Sequence, residues 1–178
     1  MSSIDIRYTE KFPEPEFSSL QRSIFAEIER IPDELDSVLR SKKIDIDSRG
    51  QHQAPKHRFG AYDGEELVGW TYGWFEHNNV FYMANSGIKP THRRKGVYTA
   101  LLNVIRSYAL EQGAWCIRSQ HSVVNNAVII AKLRAAFHIT GLHQSGQMGT
   151  LVELTQHLSD KHEQMFRDRV MPYGIPKK

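Results

Sequence analysis

The sequence predicts one α/β domain of the α+β kind, with about seven strands flanked by about four helices and a charged helical tail. Three observations predict it. Short apolar or alternating runs recur seven times along the chain, set apart by turn residues or by stretches of helical periodicity. The 178 residues are 40% hydrophobic and 24% charged, ordinary values for a chain that buries one core. In the middle, from Val80 to Gln112, a strand passes directly into a helix through a basic loop that contains a glycine.

In order, Ile4 to Tyr8 alternates as a half-buried strand does. A proline-bearing segment, Phe12 to Pro15, leads into a helix on which Phe17, Leu20, Ile24, Phe25, Ile28 and Ile31 share one face. Pro32 stops it, and Asp33 caps a short second helix carrying Leu35, Val38 and Leu39. Periodicity fails from Ser41 to Lys56, which reads as a polar loop. Two strands, His57 to Tyr62 and Glu66 to Phe75, follow as a hairpin closed by Asp63-Gly64. Trp70, Tyr72 and Trp74 load one face of the second strand, as core, as a subunit contact or as a wall for a substrate.

The run Val80 to Asn85 is apolar and aromatic, a buried strand, and Ser86-Gly87-Ile88-Lys89-Pro90 is expected to break it. After Thr91-His92-Arg93-Arg94-Lys95-Gly96, the residues Val97, Ala100, Leu101, Val104, Ile105 and Tyr108 keep helical spacing to a stop at Gly113. A strand, a basic glycine loop and a helix N-terminus together make an anion cradle, because free amides and the positive end of the helix dipole point the same way. Beyond it, Trp115 to Gln120 is a strand, and Asn125 caps a helix over 126–135. Phe137 to Leu142 and Gln147 to Leu154 form a closing hairpin. The single domain covers 1–178, with 155–178 as a C-terminal extension that packs on the body or meets a partner.

Composition narrows the function classes. No apolar run is long enough to span a bilayer, and no signal-peptide pattern opens the chain, so no membrane role and a cytoplasmic location are expected. The single cysteine, Cys116, rules out an internal disulfide and lies in an apolar stretch, where an inert buried thiol is expected. His52 and His57 lack accompanying ligands at metal spacing, so no metal is expected. The net charge of +3 gathers locally at Arg93-Arg94-Lys95, which suits a small polyanion better than a nucleic acid lying along a basic face.

Arg93-x-x-Gly96-x-Tyr98 resembles the acyl-CoA pyrophosphate loop of the GNAT N-acetyltransferase superfamily, usually Gln/Arg-x-x-Gly-x-Gly/Ala, with Tyr98 where a small residue is usual. Asn125 to Phe137 resembles the family segment that runs from an Asn through a short helix to a Gly-Phe pair, here Ala136-Phe137. The two matches stand in the family's order, and the resemblance extends from about Ile6 to Leu154.

The resemblance implies a central mixed, mostly antiparallel sheet splayed at the middle, and direct transfer of an acetyl group from acetyl-CoA to a primary amine in a ternary complex. It implies that Ser86, Gly87 and Ile88 pair with the pantetheine arm, and that Arg93, Arg94, Lys95, Gly96, Val97 and Tyr98 wrap the pyrophosphate. Asn125 then meets the coenzyme from the far side. Seven residues on, the family often places a Tyr that protonates the departing thiolate. Here Lys132 stands in that place, either touching sulfur or phosphate or lying as an exposed helix residue. For the base that removes the amine proton the candidates are Glu76, Tyr82 and His121, with Asn85 nearby, and water in place of all of them; His121 is chosen for its ordinary titration near neutrality. The family often forms homodimers, and the loop from Ser41 to Lys56 borders the acceptor site. Two other classes stay open: a non-catalytic acyl-CoA sensor on the same fold, and a nucleic-acid binder using the basic loop, which is set aside for want of a second basic face.

Overall fold

In chain order the elements are β1 (Asp5–Thr9), α1 (Glu16–Phe25), β2 (His57–Asp63), β3 (Glu66–Glu76), β4 (Val80–Ile88), α2 (Val97–Glu111), β5 (Cys116–Ser122), α3 (Asn126–Arg134), β6 (His138–Ser145), β7 (Gly149–His157) and α4 (Asp160–Val170). A 3₁₀ turn, Pro90–His92, joins β4 to the loop before α2. The computed structural model describes residues 4–25, 54–146 and 148–170. The expected continuation of the first helix past Phe25, the short helix after Asp33, most of the polar loop from Ser41, and the end of the tail lie outside the described residues.

The seven strands form one sheet in the order β1-β2-β3-β4-β5-β7-β6. Only β4 and β5 run parallel; every other pair is antiparallel, which makes the mixed, mostly antiparallel sheet that was expected. Helix α2 supplies the longer core. Val97, Leu101, Leu102, Ile105 and Ala109 are buried along one stripe and join Phe59, Val68, Phe81, Met83, Ile117 and Leu154 from the strands. Gly113, at φ 83°, ends the helix in the left-handed conformation that a residue with a Cβ adopts at a cost. On the other face of the sheet Trp70 is fully buried against Phe17 and Phe25 of α1, both edge-on, with Phe12 and Tyr62 completing that smaller core.

Two boundaries differ from expectation. Strand β4 does not break at Ser86 but runs through Gly87 to Ile88, because Ser86 exchanges a hydroxyl hydrogen bond with Thr71 (2.8 Å) and Gly87 lies under the Trp70 ring. A Cβ at Gly87 would come within 2.4 Å of that ring, so glycine here permits close approach and does not end the strand. Strand β7 continues past Leu154 to His157, with Thr155 and Gln156 buried, so the helical tail begins only at Asp160. The Gln156 amide nitrogen donates to the carbonyl of Ala135 (2.6 Å), which ties that extra length to the end of α3. Among the described residues no helix is long and apolar enough to cross a membrane.

Candidate active site

The site is set by a fork in the sheet. Strands β4 and β5 pair only over Val80, Phe81 and Tyr82 with Cys116, Ile117 and Arg118. Directly beyond, β4 carries a bulge: Asn85 opposes Tyr72 and Met83 opposes Gly73, leaving Ala84 extra. A bulge bends its strand, and here β4 stays with β3 while β5 stays with β7 as far as Ser122. The arms of the fork are therefore 83–88 and 119–122. In an antiparallel ladder alternate residues turn their backbone groups away from the partner, so the arm holding Ser86, Gly87 and Ile88 presents N–H and C=O groups to the open side.

That arm runs straight into the basic loop. Gly96 is the N-cap of α2 at φ 82°, with no side chain capping the helix, so the first-turn amides of Val97, Tyr98 and Thr99 keep their donors for something else. Arg94 is also left-handed, at φ 58°, and Arg94 and Lys95 are exposed. Arg93 turns back, its Nε donating to the Ile88 carbonyl (3.1 Å), which braces the loop against the end of β4. Lys89 pairs with Glu66, and His92 Nε2 lies 3.3 Å from Asp63, so the β2–β3 hairpin holds the loop in place. Tyr98 does not crowd this cradle. Its ring packs against the α2 core, and its hydroxyl is buried with no hydrogen-bond partner among the described residues. Burial pushes the phenol well above its usual range, so it stays protonated.

The far arm brings in α3. Asn125 Oδ1 accepts from the Val128 amide (3.4 Å) and caps the helix. Of the two readings of Lys132, the exposed helix residue does not hold: the side chain is 0% exposed. Its Nζ donates to Ser119 Oγ at 2.6 Å, lies 3.6 Å from Met83 Sδ, and stands 4.4 Å from the centre of the Phe137 ring. Met83 and Ser119 are the first residues past the last β4–β5 pair, so the amine bridges the two arms where they part. Burial lowers its pKa to about 7. The Ala136-Phe137 pair shows why glycine is usual at the first of these positions, since Ala136 is left-handed at φ 61°.

The three expected base residues part company. Glu76 pairs with Val80 at the closed end of the fork and is held by Arg118, so it is an ion-pair partner, not a free base. His121 corrects the expectation of titration near neutrality. It lies on the α3 face of β5 with its Nε2 3.1 Å from Ser119 Oγ, and burial, then the Lys132 charge, lowers its pKa to about 3. Tyr82, on the α1 side of the last rung, packs beside Trp74 with ring centres 5.2 Å apart; burial first, then Glu76, raises its pKa. Sequence reasoning missed Ser119, Arg118 and Glu153. Glu153 on β7 gathers Arg118 (3.7 Å), His143 (3.2 Å) and Thr140 (3.1 Å) on the Tyr82 side. Strand alternation was the available signal, since Arg118 and Gln120 must face away from Ser119 and His121. Cys116 is buried, and burial pushes its thiol up to about 12, as expected of an inert cysteine. Among the described residues no group of three or more His, Cys, Asp or Glu is arranged to hold a metal.

The site is thus a split parallel pair that feeds an uncapped helix N-terminus. The family model described as acetyltransferase (GNAT) matches residues 15–131, and the chain belongs to that family. Among solved structures the chain is similar to nourseothricin acetyltransferase, at 22% identity and TM-score 0.55, over 58% of this chain and 66% of that one, just under two thirds of its length. It is similar to Ard1 from Thermoplasma volcanium (17% identity, TM-score 0.63, 88% and 99% of the two chains). It is also similar to a Bacillus subtilis acetyltransferase in complex with CoA (15%, TM-score 0.62, 88% and 100%). These likenesses show the fold. No curated protein matches the chain.

Proposed function

We propose that the protein is an acetyl-CoA-dependent N-acetyltransferase that moves the acetyl group directly to a primary amine in a ternary complex. The observation that carries this is the continuity of the open β4 arm with the left-handed Gly96 and the uncapped first turn of α2. Together they set an open strand edge and a free helix first turn at the two ends of one short segment, 89–95, the two groups of backbone donors that a pantetheine arm and its pyrophosphate require. The solution of the B. subtilis relative with CoA supports the same coenzyme here.

In this reading Ser86, Gly87 and Ile88 bind the extended arm through backbone groups, and an N–H there polarises the thioester carbonyl. The amides of Gly96, Val97 and Tyr98 hold the pyrophosphate, with Arg94 and Lys95 meeting the remaining charge and Arg93 bracing the loop. Asn125 closes the far side. The coenzyme supplies the activated acetyl group. The amine nitrogen enters from the Tyr82 side, where Glu76 and Glu153 hold its cationic form before it sheds a proton to water. A C–N bond forms, the C–S bond breaks, and the ammonium of Lys132 supplies the proton that the departing thiolate takes. A non-catalytic acyl-CoA sensor is favoured by one observation, the engagement of Glu76 by Arg118.

Thermal melts with and without acetyl-CoA test this, run beside an Arg94→Glu, Gly96→Glu double variant. A ligand bound only by the native state raises the midpoint. A rise in the parent that the folded variant loses supports the cradle, and no rise at millimolar coenzyme sinks it. Release of free thiol with a panel of amines then separates the enzyme from the sensor.

A further inference from the structure

Lys132 is an ionisable group with no counter-ion among the described residues. Among the described residues, β4 presents Met83 to it, the segment before β6 presents Phe137, and β5 presents Ser119 and, beyond it, His121. Glu153 and Glu76 belong to the Tyr82 side of the sheet, where Arg118 holds both. On α3 itself Arg134 is exposed, and it carries the same sign of charge as the ammonium. Among the described residues the charged or titratable group in line with Lys132 is thus the His121 ring, partly exposed at the end of β5 and joined to the amine by one hydroxyl.

We propose that coenzyme binding loads Lys132 with a proton, and that Ser119 and His121 are the positioning residues through which that proton arrives. This rests on the coenzyme reading above. Every net charge the coenzyme carries is negative. That charge favours the charged over the neutral amine only once the ligand is present, so proton and coenzyme bind cooperatively. The route is hydrogen-bonded throughout: the His121 imidazole, the Ser119 hydroxyl and the Lys132 amine lie in sequence at 3.1 and 2.6 Å. A proton accepted from solvent at the ring moves to the Ser119 oxygen as that hydroxyl passes its own to Nζ, leaving Lys132 as –NH₃⁺ and the ring and hydroxyl neutral. The ammonium is then charged before chemistry begins, and the free protein is spared a permanent buried cation. The amine's own poise, about 7 in the free protein, puts the exchange near neutral pH.

Calorimetric titration of CoA at pH 7.5 in two buffers of different ionisation heat reads the proton directly. A rise of about one unit in the Lys132 pKa predicts uptake of roughly half a proton, and affinity that weakens about fivefold between pH 7 and pH 9. Phosphate groups titrate near pH 6 and add little at this pH. Lys132→Met, which removes the charge, and Lys132→Arg, which makes it permanent, are each expected to bind CoA without uptake. Ser119→Ala, which keeps the amine but removes the oxygen holding it, is expected to bind with reduced uptake. Circular dichroism melts establish that each variant is folded. CoA binding by the parent with no uptake, or equal uptake by Lys132→Met, overturns the proposal while leaving the coenzyme site intact. Absence of any CoA binding by the parent overturns both. Should neither Lys132 variant fold, the parent's affinity profile still decides, since a flat profile from pH 7 to pH 9 overturns it.

Discussion

Exchanging Lys132 for methionine keeps the length of the side chain and removes its charge at a position that is 0% exposed. In the unfolded chain this lysine titrates near 10.5, and in the fold near 7, a difference of about 3.5 units. Each unit is worth ~1.36 kcal/mol, so the native state carries a penalty of about 5 kcal/mol at neutral pH. The sign follows from proton counts. Between pH 7 and 10.5 the unfolded chain holds a proton that the native chain does not, so the parent gains stability as pH rises through that window. Below pH 7 both states hold it, and the penalty is constant. Methionine loses the hydrogen bond to Ser119 and the contact with Phe137, which returns ~1–2 kcal/mol. Lys132→Met is therefore expected to be more stable than the parent by about 3–4 kcal/mol at pH 7, with the gap closing by about pH 10. Cys116 and Tyr98, whose burial raises their pKa values, weaken both proteins alike at alkaline pH and cancel in the difference. Denaturant unfolding of both proteins from pH 6 to pH 10 measures the gap. A variant less stable than the parent at pH 7, or a gap that does not change with pH, would refute the argument that the amine is held against its will.

Other outcomes follow from single contacts. Gly87→Ala places a methyl group 2.4 Å from the Trp70 ring and is expected to cost ~1–3 kcal/mol in chemical denaturation. Ala136→Gly relieves a left-handed alanine at φ 61° and is expected to raise stability by about 0.5–1 kcal/mol, read as a small rise in melting temperature. Tyr98→Phe removes a buried hydroxyl with no partner among the described residues, so it is expected to be neutral or to stabilise by up to ~1 kcal/mol, with acetyl-CoA binding unchanged in the melt assay. A clear loss of binding in Tyr98→Phe would place that hydroxyl in the coenzyme site after all.

Much of the fold was legible because hydrophobic period records burial directly. The α2 stripe names its own buried face, and Gly113 and Asp63-Gly64 mark their turns by backbone demand. What misled was glycine read without its neighbours. In the sequence Gly87 reads as a break because its freedom shows there, whereas the Trp70 ring that requires it lies on another strand. The basic loop was legible for the same local reason as the turns. Lys132 was not, because nothing in a nine-residue helix of weak amphipathicity says that one lysine points inward. Its environment comes from Met83, Ser119 and Phe137, which approach from three other parts of the chain. Glu76 and Glu153 likewise became a pair only through Arg118, a residue whose role depends on strand order.

That strand order has a consequence for the birth of the protein. Strands β2, β3 and β4 follow one another as a meander, so this part of the sheet can assemble as soon as it leaves the ribosome. Strand β5 instead waits for β7, whose last paired residue is His157, because β6 is made first yet takes the outer place. The wait leaves one arm of the fork without its outer neighbour until the chain has been made through His157. Contacts between segments distant in sequence are also the slow ones to form. The nascent chain therefore completes the basic loop and the first turn of α2 early and the fork between β4 and β5 last.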